Sequence, residues 1–213
     1  MDIVIPSAAS IGVFAVAATL LLLTPGPAVL YVVARSVEQG RIAGLASVFG
    51  ITTGTLVHVL AAALGLSALL ASSALAFAVV KYAGAGYLIY IGVRRILSRT
   101  PAAPLALPRR TMGRLYRDGF VVNLLNPKTA LFFFAFLPQF VDPSRGAVAF
   151  QIAFLGLLFT LMGLTSDGLY ALVAGTAGLW VKRQSRYWDW ERYVTGSVFI
   201  GLGVTAALAG GRK

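Results

Sequence analysis

The chain has 213 residues, of which 58% are hydrophobic and 12% charged, with a mean hydropathy of +0.83. A soluble globular domain carries about 25% charged residues, so this composition excludes a water-soluble fold and indicates an integral membrane protein. The net charge of +11 would suit nucleic acid, but the basic residues are divided among short loops without a basic groove or interleaved aromatics, which argues against that partner.

A helix needs roughly 20 apolar residues to cross a hydrocarbon core of about 30 Å. On that basis the chain divides into six predicted spans, at about residues 9–34, 42–66, 76–97, 118–140, 148–180 and 192–209. The N-terminus begins Met1, Asp2 and lacks the basic stretch of a secretory signal, so the first apolar run is expected to stay as a span. Between the second and third spans, "LSALLASSALAFAVV" has no charge to mark a turn, and only Ser67, Ser72 and Ser73 place one there. Five spans with a long hairpin is the alternative.

Lys and Arg gather on one side of this arrangement. Arg35 and Arg41, the group from Arg94 to Arg117, and the group from Lys182 to Arg192 share it, whereas Arg145, Arg212 and Lys213 fall on the other. The basic side is expected to be cytoplasmic, which places both termini outside. Trp180, Tyr187, Trp188, Trp190 and Tyr193 flank the last basic loop, where amphipathic rings prefer the membrane interface.

The Pro-, Ala- and Arg-rich stretch 98–117 reads as a cytoplasmic linker that separates residues 1–97 from 118–213. Three spans on each side make the halves enter the membrane with opposite polarity, which predicts two inverted three-helix repeats. Pro25 then matches Pro127, His58 matches Asp167, and "KYAGAGYLIYIG" from Lys81 matches "RYVTGSVFIGLG" from Arg192, in order and at offsets of 102, 109 and 111.

In the first span, "TPGP" at Thr24, Pro25, Gly26 and Pro27 is expected to unwind the helix, because proline lacks an N–H and clashes with the carbonyl one turn earlier. Freed carbonyls suit a cation and the next helix start suits an anion; the alternative is a packing kink. In the fourth, Asn123 and Asn126 of "NLLNPK" lie three apart, and Pro127 and Lys128 follow. An ammonium at a helix centre costs roughly 2.5 to 3.5 kcal/mol on insertion scales, so Lys128 should face a cavity or a carboxylate unless it snorkels to the interface.

Asp167 is the acidic residue deep in the fifth span, suited to exchanging a proton or binding a substrate ammonium, or else to a structural partnership with Lys128. Gly50, Gly54 and the single histidine, His58, recur at four-residue spacing; the glycines suit close helix packing, and His58 is either a proton relay or a satisfied structural residue. Lys81 is expected at an interface. The phenylalanines of "ALFFFAFLPQF" are expected against lipid or neighbouring helices, with Gln139 marking the interface.

These motifs, "TPGP", the glycine-spaced second span with His58, "KYAGAGYL", "NLLNPK" and "FLPQF", resemble those of the LysE/RhtB family of bacterial amino-acid exporters, nearly throughout the chain and most specifically up to Phe140. The resemblance implies export of amino acids or their derivatives from the bacterial cytoplasm across the inner membrane, driven by proton exchange, with no cofactor. Another small solute or a cation is the alternative cargo. A channel or membrane scaffold is the alternative class, and glycine-rich faces leave a homo-oligomer open. An enzyme is disfavoured: the chain has one His, no Cys, and neither HExxH nor GxSxG, which leaves no Cys/His pair or histidine-based metal site.

Overall fold

The computed structural model describes residues 6–72, 74–97 and 109–176, with isolated positions between 193 and 207. Secondary structure among the described residues is entirely helical. α1 (Ala8–Leu23) and α2 (Pro27–Gln39) form one bent unit, followed by α3 (Arg41–Ser72) and α4 (Ala74–Leu97). After the linker come α5 (Met112–Leu124), α6 (Pro127–Leu131, continued by a π turn and a 3-10 turn to Phe140) and α7 (Val148–Thr176).

Two helices, Arg41–Gly65 within α3 and α7, are by themselves long and apolar enough to cross a membrane. Two bent pairs pass the same test only when each is taken as one unit: α1 and α2, which meet at 50°, and α5 with α6 and its continuation, which meet at 47°. The predicted last span apart from those isolated helical positions, its flanking aromatics other than the exposed Tyr193, the greater part of the linker, and Ser73 lie outside the described residues, and so does the side chain of Lys81.

Two boundaries differ from the sequence expectation. α3 runs on to Ser72, since nothing between Ser67 and Ser72 breaks a helix: the stretch has no proline and no glycine. α5 starts at Met112, within the stretch read as linker, because Leu115 is fully buried there. Its basic face needs only water or headgroups, so a helix can begin before the hydrocarbon does.

Polar clamps tie the basic end together. Gln39 pairs with the Arg110 backbone through both amide atoms, accepting from its N–H at 2.8 Å and donating to its carbonyl at 2.9 Å. The Tyr31 hydroxyl donates to the Leu115 carbonyl at 3.3 Å, and Arg110 forms an ion pair with Asp118. At the opposite end, fully buried Gln151 accepts from the Asp142 N–H and donates to the Asp142 and Gly146 carbonyls. That closes the loop into α7 around its 3-10 turn, Pro143–Arg145.

The phenylalanine run packs against neighbouring helices. Phe132, Phe133 and Phe136 are buried with Phe14 of α1 and Phe159 of α7, and the Phe132 and Phe159 rings stack at 4.4 Å. Pro138 supplies no N–H to this segment, so the ladder shifts to a π pattern in which Leu137 N–H bonds Phe132 carbonyl. Gln139 donates to the Ala135 carbonyl at 2.9 Å, giving that side chain a backbone partner rather than only an interface position.

The central contact is α3 against α5, which approach backbone to backbone. A Cβ at Gly50 would lie 1.9 Å from the Tyr116 carbonyl oxygen, and one at Gly119 would lie 2.5 Å from that of Ser47. Small residues permit this approach in lipid, where association rests on dispersion contacts rather than on water exclusion. Gly50→Ala should therefore force the helices apart and destabilise the protein by about 1–3 kcal/mol. Gly113→Ala, where an added Cβ meets nothing within 4 Å, should leave the thermal unfolding midpoint in detergent at its wild-type value.

Candidate functional site

The two breaks lie side by side, and the sequence around each explains its form. Thr24 ends α1: its N–H and hydroxyl both return to the Leu20 carbonyl, while Tyr170 of α7 donates to the Leu23 carbonyl at 3.0 Å. Gly26 caps α2, and Pro27 takes its first position, where a missing N–H costs nothing and the ring's φ suits a helix. The second break repeats this form. Pro127 opens α6, and the Asn126 side chain accepts from the Lys128 N–H at 3.1 Å, as a capping residue does.

Lys128 joins the breaks. Its side chain is 8% exposed, and its ammonium donates to the Thr24 carbonyl, a group that the unwound turn leaves without a helical partner. It does not snorkel. Gly26 lies under it, so that a Cβ there would sit 3.0 Å from Lys128 Cδ and press the lysine stem a few tenths of an ångström aside; the φ of −130° at Gly26 is itself open to any residue. Asp167, 6% exposed, stands within electrostatic reach of Lys128. Both residues face the same space in front of the breaks.

That space is a cavity of about 40 Å³, enough for about three waters at 10–15 Å³ each on this measure. Of the residues singled out in the sequence, Gly26, Asn123, Asn126, Lys128 and Asp167 line it. Thr24, Pro25, Pro27, Pro127 and His58 are not part of its wall: the first four shape the breaks, and His58 stands behind Asn123.

Asn123 is saturated by its surroundings. Its amide donates to the Ile51 carbonyl and the Thr55 hydroxyl, both at 2.8 Å, and its side-chain oxygen accepts from Thr129 at 2.9 Å. Its own carbonyl, freed at the end of α5, accepts from the Asn126 N–H at 3.0 Å and from His58 Nε2 at 3.1 Å. The proton on His58 is thus on Nε2, because a carbonyl can only accept, and the ring stacks on Phe133.

Sequence reasoning missed Thr52, Thr55, Thr129, Thr160 and Gly163, all of which face the cavity. The signal was present: Thr160 and Gly163 precede Asp167 by seven and four residues, the spacing of one helix face. The hydroxyls of Thr52, Thr55 and Thr160 donate to the carbonyl four residues earlier, at 2.9, 3.2 and 2.8 Å. With their hydrogens committed in this way, Thr52 and Thr160 can offer a ligand only lone pairs, while the Thr55 oxygen already accepts from Asn123. The wall from α3 and α7 is acceptor-rich, and Lys128 and Asn126 bring donors from α6. Replacing Asn123 with Leu would leave the Thr129 hydroxyl without its acceptor and remove two hydrogen bonds to α3, where Ile51 and Thr55 would keep only each other, and should lower stability by about 1–3 kcal/mol, read as a lower unfolding midpoint in detergent.

The family profile described as LysE type translocator matches residues 19–210. The homoserine/homoserine lactone efflux protein of Salmonella typhimurium is 32% identical over 193 residues, spanning 90% of this chain and 92% of that protein. An uncharacterised membrane protein of Vibrio cholerae is 29% identical over 194 residues, 90% and 93% of the two chains. The leucine efflux protein of Salmonella choleraesuis is 29% identical over 145 residues, 66% and 68% of the two. No solved structure matches the chain. A helical membrane protein whose two broken crossings enclose one charged cavity, matched by this profile over nearly its whole length and similar to proteins named for efflux, belongs to the LysE translocator family and is a transporter rather than an enzyme.

Proposed function

We propose that the protein exports small amino acids or close derivatives from the bacterial cytoplasm by proton antiport, with its substrate site at the cavity between the two breaks. The observation that carries this reading is the placement of Lys128 and Asp167, buried and of opposite charge, on one cavity wall. Ionisable groups at such depth are costly and face a pathway or each other.

A zwitterion complements this wall. Its carboxylate would meet Lys128, the Asn126 amide and the start of α6, which presents a positive dipole end. The substrate ammonium would meet Asp167 and the threonine oxygens. Asp167 would hold a proton or the ammonium in alternation, so that one replaces the other and the two fluxes are coupled. Homoserine lactone, named for the Salmonella relative, keeps an amine and lacks a free carboxylate, which makes the acidic partner the shared requirement.

The cavity as it stands is too small for an amino acid, so the carrier would have to open it. The similar bends of 50° and 47° support two inverted halves, 1–97 and 118–213, joined by the linker 98–117, that rock about the site. The clamps of Gln39 and Tyr31 at the basic end, which we place in the cytoplasm with both termini outside, would release when the site opens inward. The protein would then lie in the inner membrane.

Efflux of preloaded homoserine and leucine from cells, with and without a proton gradient, tests the assignment. Wild-type efflux should depend on the gradient, and Asp167→Asn should lose that dependence with at least tenfold slower export; wild-type rates in that variant would reject the role of Asp167. His58→Gln, which can still donate to the Asn123 carbonyl, should keep coupled export if His58 only supports the break, whereas uncoupled efflux would make it a proton relay.

A further inference from the structure

We propose that Gly163 sets the size of the substrate side chain that this carrier accepts; the inference rests on the amino-acid export reading above. Thr160, Gly163, Leu164 and Asp167 form the face that α7 turns to the cavity, spaced i, i+3, i+4 and i+7 as one helix stripe. Its two polar groups lie seven residues apart, about 10 Å along the axis. Between them the wall carries the Leu164 side chain and, at Gly163, bare backbone.

Helix packing does not require glycine there. On the same helix, a Cβ at Gly156 would lie 2.8 Å from the Val59 side chain, and one at Gly175 would lie 2.6 Å from the Arg41 backbone nitrogen; both are glycines of close approach. At Gly163 an added Cβ would meet only Leu22 Cδ2, at 3.5 Å, an ordinary contact. No positive φ calls for glycine at this position either. Gly168 on the same helix also has room for a methyl group, but Gly163 lines the cavity, so that the volume a methyl group would take there is volume taken from the site.

The surroundings say what that volume takes. Leu21 and Leu22 of α1 and Phe159 and Leu164 of α7 line the same cavity, and Leu22 faces Gly163 directly. This apolar compartment lies beside the charged groups. With the ammonium at Asp167 and the carboxylate toward Lys128, an aliphatic side chain would extend over Gly163 against Leu22. A methyl group at Gly163 removes space comparable to one water from a cavity that holds about three, and one methylene in a hydrophobic pocket changes selection by 10-fold or more.

The test is efflux of alanine, norvaline and leucine from proteoliposomes under a fixed proton gradient. Gly163→Ala should insert and unfold like wild type while reducing the leucine-to-alanine rate ratio about tenfold, with norvaline between them. Gly168→Ala, a control for adding a methyl group to α7 away from the cavity, should keep the wild-type ratio. Leu22→Ala, which enlarges the compartment from the facing helix, should raise the ratio, and it provides the readout if Gly163→Ala does not insert. An unchanged ratio in Gly163→Ala, an equal loss for all three substrates, or an unchanged ratio in Leu22→Ala would overturn the proposal while leaving amino-acid export intact. A wild type that moves none of the three would overturn the export reading, and the proposal with it.

Discussion

The contact between the Lys128 ammonium and the Thr24 carbonyl is the constraint around which the rest of the molecule is arranged. Each partner would be costly alone: a cation at membrane depth has no water to solvate it, and a carbonyl at an unwound turn has no helical N–H. Together they satisfy one another across the two broken crossings. The pairing fixes the position of α6 relative to α1 and α2, lays the lysine stem closely over Gly26, and sets the ammonium beside the cavity where Asp167 also stands.

Around that contact, the remaining freed groups are met by side chains from other helices. Tyr170 serves the end of α1, His58 serves the end of α5, and Asn123 ties α5 to α3 and to Thr129. Such a network is strong where it is complete, because an unpaired member in a medium of low dielectric is penalised heavily. Asp167 and the oxygens of Thr52 and Thr160, whose hydrogens are committed to their own helices, face the cavity instead.

Two kinds of glycine serve the same architecture in opposite ways. Gly50 and Gly119 bring α3 and α5 together until backbone meets backbone, which gives the cavity a rigid neighbour. Gly163 faces open space. Adjacent to both is the phenylalanine cluster, whose π turn comes from the missing N–H of Pro138, and which fills the region beyond the cavity on the side of the Asp142–Gly146 loop with rings rather than with a continuation of the site.

The membrane environment, the long apolar helices α3 and α7, the breaks at "TPGP" and "NLLNPK", and the burial of Lys128 and Asp167 were legible in the sequence. They follow from local quantities: apolar length, the chemistry of proline, and the cost of charge in hydrocarbon. Partner choice was not legible, because the helix pitch fixes which residues share a face but not which face a neighbouring helix will meet. Thus Asn123 could be read as a substrate ligand, although its side chain is fully used within the fold, and Thr160 and Gly163 escaped notice on the same face as Asp167. The start of α5 at Met112 was hidden for a similar reason, since Leu115 is buried only once α5 is packed in the fold, with α2 donating to its carbonyl through Tyr31. The sequence alone determined where the helices had to break and which charges had to be sheltered; the packing of α1, α3, α6 and α7 around one point decided which of those groups satisfy each other and which are left open to a cargo.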